Sequence, residues 1–178
     1  RALIKPYQFL EGDTLSPSLS PERGALFIAL VNSNLDSLTR VALLNKMTLA
    51  NADLRKGEFI GVDLAMFELS YAELSYADLD FADLSFTNLS YANLRGAKLF
   101  AADLRSADLC GADLSGANLR SAYLRIADKA GQGGVIYETM KGTKLTGAKV
   151  YLSKRESLSK VLTEEQLNSI DWVDDLEP

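Results

Sequence analysis

Seven carboxylates fall within residues 57–94 with no lysine or arginine among them: Glu58, Asp63, Glu68, Glu73, Asp78, Asp80 and Asp83. Carboxylates held close together raise one another's pKa, and such a group can work as an acid and base pair or hold a hard cation. Interleaved with them at intervals of five stand Tyr71, Tyr76, Phe81, Phe86 and Tyr91, residue types enriched in protein recognition surfaces. Histidine is absent. Its absence removes the commonest general base near neutral pH, every Ser-His-Asp or Cys-His arrangement and the usual zinc ligands. The single cysteine, Cys110, has no histidine to activate it and cannot form an intrachain disulfide, so the fold does not rely on oxidation. The run Ala130-Gly131-Gln132-Gly133-Gly134 is glycine-rich enough to cradle phosphate. No GxxxxGK motif followed by Ser or Thr accompanies it, and a surface excursion is expected there.

A chain of 178 residues that is 47% hydrophobic and 24% charged has the composition of one globular domain, not of a disordered or collagen-like chain. Nineteen basic against 24 acidic residues leave a net charge of −5, which argues against nonspecific attraction to phosphate backbones. The longest apolar run, residues 25–31, falls far short of the roughly 18 residues of a membrane span. No membrane contact by these residues is expected. A cytoplasmic location is the expectation. The chain begins at Arg1, so upstream sequence carrying a targeting signal or an anchor is also expected.

The elements that must position these side chains are announced by a period of five. Sixteen positions from 49 to 124 hold fifteen leucines and one phenylalanine: Leu49, Leu54, Phe59, Leu64, Leu69, Leu74, Leu79, Leu84, Leu89, Leu94, Leu99, Leu104, Leu109, Leu114, Leu119 and Leu124. Two residues before each, eleven of sixteen are alanine, and the residue just before is Asp, Glu or Asn at thirteen. Such a period would smear leucine around an α-helix and alternate it between the faces of a strand. The backbone must therefore turn every five residues, with leucine and alanine pointing inward together. One large and one small side chain per corner suit a narrow tube packed near crystal density.

At these residues, over 47–128, the chain resembles the pentapeptide repeat family. The resemblance implies a right-handed quadrilateral parallel β-helix, an all-β solenoid of about four coils, with four units to a coil. Departures from the repeat cluster early, at Gly57, Phe59, Val62 and Phe67, where a distorted or wider coil is expected.

The flanks supply candidates for the ends. Ser20-Pro21-Glu22 opens an N-terminal helical cap running to about Asn32, and residues 33–46 are expected to descend irregularly into the first coil. The five-beat stops at Lys129, a loop spans 129–142, and two further repeat-like units occupy 143–152. Thr163-Glu164-Glu165-Gln166 has capping-box form and starts a short C-terminal helix to about Ile170, within a C-terminal cap at 153–178.

Four units to a coil put Asp63, Asp83 and Asp103 in one ladder, with Arg105 and Arg125 on the same face. The repeat itself places Asp or Asn in that slot on every face, so neither a metal site nor a catalytic site is expected, and no cofactor. The aromatics form a candidate protein-contact belt, with stacking between coils as the alternative. The expected function is a non-enzymatic rigid scaffold for an unidentified protein partner, in an open oligomeric state and without nucleic acid. The alternative implied by the resemblance is a DNA-mimicking topoisomerase (gyrase) binding protein that uses the acidic first half. Residues 47–128 carry net −5 over roughly 20 Å, where duplex DNA carries roughly 12 charges. Only the stretch at 57–94 approaches that density.

Overall fold

Every fifth residue takes a left-handed backbone conformation, and the architecture follows from that. A computed structural model describes residues 10–11, 14–15, 21–31, 48–124, 142–160 and 162–175. Two residues after each central position from 49 to 119 φ is positive, as at Tyr71 (57°), Gly96 (62°) and Gly116 (71°). The next residue, usually alanine, donates its N–H back to the leucine carbonyl, as Ala72 does to Leu69 at 3.0 Å. A positive φ at the third of four residues closed by such a bond is the signature of a type II turn. The residue before the leucine stabilises the same corner. The Asp83 carboxylate accepts the Ser85 N–H at 2.9 Å and the Asn88 side-chain oxygen accepts the Ser90 N–H at 3.0 Å. This Asx-turn geometry explains why Asp and Asn dominate the slot.

Coils pair in parallel at a register of twenty residues. Asp53, Glu73, Asn93 and Asp113 form one column and Asp63, Asp83 and Asp103 another. Leu74 donates to the Asn93 carbonyl at 2.8 Å and Asn93 donates back to Ala72 at 2.9 Å. The left-handed corner residue joins this ladder too, since the Tyr71 N–H reaches the Ser90 carbonyl at 2.9 Å. Leu74, Leu94 and Leu114 thereby stack along the interior, fully buried with Ala72, Ala92 and Ala112. Phe59 takes the leucine role in the first coil and is equally buried, whereas Leu124 is half-buried. The register then jumps, because Asp113 pairs with Lys144 and Asn118 with Lys149. The glycine-containing loop expected over 129–142, like residues 33–46, lies almost wholly outside the described residues.

A short hairpin of β1 (Leu10–Glu11) and β2 (Thr14–Leu15) precedes α1 (Pro21–Val31). Phe27 of α1 is fully buried, with its ring 5.6 Å from Phe59 and 6.0 Å from Phe67. The departures from the repeat make room for this contact. A Cβ at position 57 would come within 2.4 Å of the Phe59 ring, so only glycine lets that ring turn inward. Val62 and Phe67, in the alanine slot, are half-buried and pack against the same cluster. Arg23 donates to the Ala50 carbonyl at 3.2 Å.

At the other end β3 (Lys149–Tyr151) pairs in parallel with β4 (Asp171–Val173). Between them lie a 3-10 turn (Leu152–Lys154), α2 (Arg155–Leu158) and α3 (Glu164–Ser169). Thr163 and Gln166 form the reciprocal capping box of α3. Gln166 also donates to the Thr143 carbonyl at 2.9 Å, and the half-buried Trp172 donates its indole N–H to the Leu167 carbonyl at 3.1 Å. The α2 turn and the β4 rung have no counterpart in the repeat pattern.

Gly24 of α1 tests this docking. Alanine is the better helix former by about 1 kcal/mol, yet a Cβ there would lie 1.8 Å from the Asp53 carbonyl oxygen. Gly24→Ala is therefore expected to lower stability by about 1–3 kcal/mol in urea denaturation, and a variant as stable as the parent would show that α1 does not seat on the first coil in this way.

Candidate functional site

The corner slots point away from the filled interior, and the twenty-residue register sorts them into four columns. Asn51, Tyr71, Tyr91 and Gly111 share the first, and Lys56, Tyr76, Gly96 and Gly116 the second. Gly61, Phe81, Ala101 and Ser121 form the third, and Met66, Phe86 and Ser106 the fourth. The five aromatics thus face four directions, and no flat partner reaches all of them. All are exposed: Tyr71 43%, Tyr76 63%, Phe81 59%, Phe86 61% and Tyr91 54%.

The tyrosines have neighbours on their own columns. Tyr71 and Tyr91 stack with ring centres 5.0 Å apart and planes 10° from parallel. Tyr91 covers Gly111 and Tyr76 covers Gly96, each so closely that a Cβ on the glycine would lie 2.6 Å from the ring. Phe81 meets only the edge of Phe100, at 5.5 Å, and Phe86 has no ring partner among the described residues. Ile60 and Met66 are exposed by 60% and 77% in the coil below, on the same two corners as Phe81 and Phe86. Sequence reasoning missed that pair, although their spacing of twenty from Asp80 and Phe86 was the available signal.

The seven acids distribute around the tube. Glu58 and Asp78 share one column, Asp63 and Asp83 the next, while Glu68 and Glu73 stand on the remaining two. Asp80 lies at the third corner, where its carboxylate accepts the Phe100 N–H at 2.8 Å. Several carboxylates meet bases of the same chain: Asp53 with Arg55, Asp78 with Lys98, Asp103 with Arg105, and Asp113 with Arg95 and Lys144. Arg125 lies outside the described residues. No group of acids or Cys110 among the described residues is arranged to hold a metal ion. Cys110 is half-buried, its N–H donating to Asp108 and its carbonyl accepting from Tyr91.

Ionisation follows these contacts. The Arg55 and Arg105 guanidinium groups hold Asp53 and Asp103 below the ordinary aspartate range. Burial works against ionisation at Glu68 and Asp113, yet hydrogen bonds from Ser70 and Asn88 in one case and from Ser115 in the other still lower both. Glu73 goes the other way. Burial pushes it up, Ser75 and Arg55 offset this only in part, and its Oε1 is buried without a hydrogen-bond partner. The lowered groups contribute stability that is complete above the ordinary carboxylate range and is lost as pH falls through their lowered values. Glu73 has the opposite sign, its stabilising protonated form being lost as pH rises through its raised value.

The pentapeptide-repeats family model matches in eight copies, over residues 68–105 and 97–128. No curated protein matches the chain. Among solved structures, a pentapeptide repeat protein from the cyanobacterium Cyanothece 51142 is 28% identical over 56% of this chain and 54% of its own, with a TM-score of 0.31. HetL, a pentapeptide repeat protein involved in heterocyst differentiation regulation in Nostoc sp. strain PCC 7120, is 36% identical over 57% and 52%, with a TM-score of 0.22. A pentapeptide repeat protein of the Arabidopsis thaliana thylakoid lumen is 30% identical over 60% and 77%, with a TM-score of 0.26. The chain spans about half the length of the first two.

Two outcomes check this geometry. Glu73→Gln is expected to raise Tm at pH 7, with the gap to the parent closing as pH falls below the ordinary glutamate range; a gap independent of pH would contradict the burial effect. Tyr91→Ser is expected to lose about 0.5–1.5 kcal/mol in denaturant unfolding, while Phe86→Ser shifts stability by less than about 0.5 kcal/mol.

Proposed function

This chain belongs to the pentapeptide repeat family, and from that premise we propose that it works without catalysis, as a rigid scaffold for protein–protein contact. The family implies the right-handed quadrilateral helix, and α1 and the β4 segment serve as the caps that keep its open ends from stacking on copies of themselves. The proposed boundaries are 47–128 for the main repeat and 143–152 for its two late units.

One observation carries the contact reading. Phe81 and Phe86 sit at φ values of 61° and 58°, where an L residue costs about 1–2 kcal/mol that glycine avoids. Both rings stay more than half exposed, so burial within the chain offsets little of that cost. Large apolar groups held at strained, exposed corners support a recognition role more than a structural one. The tyrosines differ, since stacking and glycine cover give them work inside the solenoid.

The mimicry alternative is favoured only by Glu58, Asp63, Glu68, Glu73, Asp80 and Asp83, which have no base within ion-pair distance among the described residues. Along one face the solenoid offers one carboxylate per rung of about 4.8 Å, against one charge per about 1.7 Å of duplex. That is too sparse for a single face to imitate DNA. Unchanged gyrase supercoiling at micromolar protein would remove this reading.

The scaffold reading is tested by affinity capture with the intact chain and with the Phe81→Ser/Phe86→Ser variant. Loss of a captured partner with Tm within a few degrees of the parent is the expected result. Capture that survives the double substitution would overturn the reading in which Phe81 and Phe86 make the contact.

A further inference from the structure

The face between the third and fourth corners combines exposed aliphatic and phenylalanine edges with carboxylates outside any ion pair. Ile60 and Phe81 border it on one side, Met66 and Phe86 on the other, all more than half exposed. Between them runs the column of Asp63, Asp83 and Asp103. One oxygen of Asp63 accepts the Ala65 N–H at 3.0 Å, and one of Asp83 accepts the Ser85 N–H at 2.9 Å. Neither carboxylate has a lysine or arginine within ion-pair distance among the described residues, whereas Asp103 is held by Arg105. Asp53, Asp78 and Asp113 on two other columns are likewise paired with bases, while Glu68 and Asp108 on the fourth column have none within ion-pair distance among the described residues. Two carboxylates outside any ion pair, with Arg105 reaching Asp83 only at longer electrostatic range, are set between two exposed apolar edges and form a face whose complement is cationic along its middle and apolar on its flanks.

We propose that this face receives a basic amphipathic helix of another protein, lying along the solenoid axis. The inference rests on the scaffold reading and names its partner's chemistry. Spacing selects the helix. Neighbouring rungs set the carboxylates about 4.8 Å apart, close to the roughly 4.5 Å that a helix advances between residues i and i+3. Same-side residues of an extended strand lie about 6.6 Å apart and fall out of step after one rung. A second copy meeting this face symmetrically at these coils would bring Asp63, Asp80 and Asp83 against their own kind, which costs rather than gains. Lysine or arginine pairs at i and i+3 would meet Asp63 and Asp83, while leucine-like residues beside them cover Phe81 and Phe86.

The test is fluorescence anisotropy with a labelled synthetic Lys–Leu amphipathic helix and its Glu–Leu twin, titrated with the intact chain. The Lys–Leu helix is expected to bind, the twin not to bind, and affinity to fall with added salt. Asp63→Asn/Asp83→Asn is expected to weaken binding about five- to tenfold and to flatten its salt dependence. Asparagine keeps the corner hydrogen bond, as Asn88, Asn93 and Asn118 already do, so the variant is expected to melt as the parent does. Asp108→Asn, on a different column, is the control for general attraction to the net charge of −5. No binding, equal binding of the twin, or an equal loss with Asp108→Asn would each overturn the proposal. If partner capture depends on Phe81 and Phe86 but not on Asp63 and Asp83, the scaffold reading stands and the helix inference falls; if it depends on neither pair, both fall.

Discussion

A left-handed residue at every corner is the constraint on which the solenoid depends. Among the described residues eleven non-glycine residues, including Asn51, Tyr76 and Ser106, adopt φ values that glycine would occupy freely. Isolated, such a corner is unfavourable by about 1–2 kcal/mol. It persists because its N–H is bonded one coil away, as Tyr76 is to Arg95 and Phe81 to Phe100, and because the preceding Asp or Asn satisfies the neighbouring N–H. The ladder bonds run between coils and add to the local turn bonds, so a unit on its own lacks part of what holds its corner. Stability is then a property of the stack, and a tube of this kind needs both of its ends occupied.

That requirement accounts for the irregular first coil. Consensus alanine at positions 62 and 67 would remove the Phe67 ring from its contact with Phe27, and a side chain at position 57 would displace the Phe59 ring. Val62, Phe67 and Gly57 are matched to α1 rather than to the repeat. At the far end the β3–β4 pair adds a rung from residues more than twenty apart in sequence.

The interior was legible in the sequence because packing leaves it little freedom. Only leucine or phenylalanine beside a small residue fills a corner of the tube, so the spacing of Leu74, Leu94 and Leu114 carries the core directly. The outer slots were less legible. Tyr71, Ser106 and Lys56 adopt one backbone conformation because the ladder compensates its cost, so residue type does not reveal φ there. The aromatic run read as one belt, but the division between tyrosines that stack on a ring or lie over a glycine and phenylalanines that do neither depends on which residue lies one coil above, Gly96 over Tyr76 or Ala101 over Phe81. Ile60 and Met66 carried no signal until the columns were known. The β4 rung, only three residues long, is defined by its pairing with β3 and by nothing local.

The register of the stack is tested most directly with the one native thiol. Ser90 and Cys110 occupy the same corner one coil apart, about 4.8 Å between rungs, within the Cα separation of roughly 4.4–6.8 Å that a disulfide spans. Under mild oxidation Ser90→Cys is expected to form an intramolecular disulfide with Cys110, while Ser115→Cys, one corner further along the chain, stays reduced. A disulfide in the Ser115 variant and none in the Ser90 variant would contradict the twenty-residue register, and with it the arrangement of every outer column.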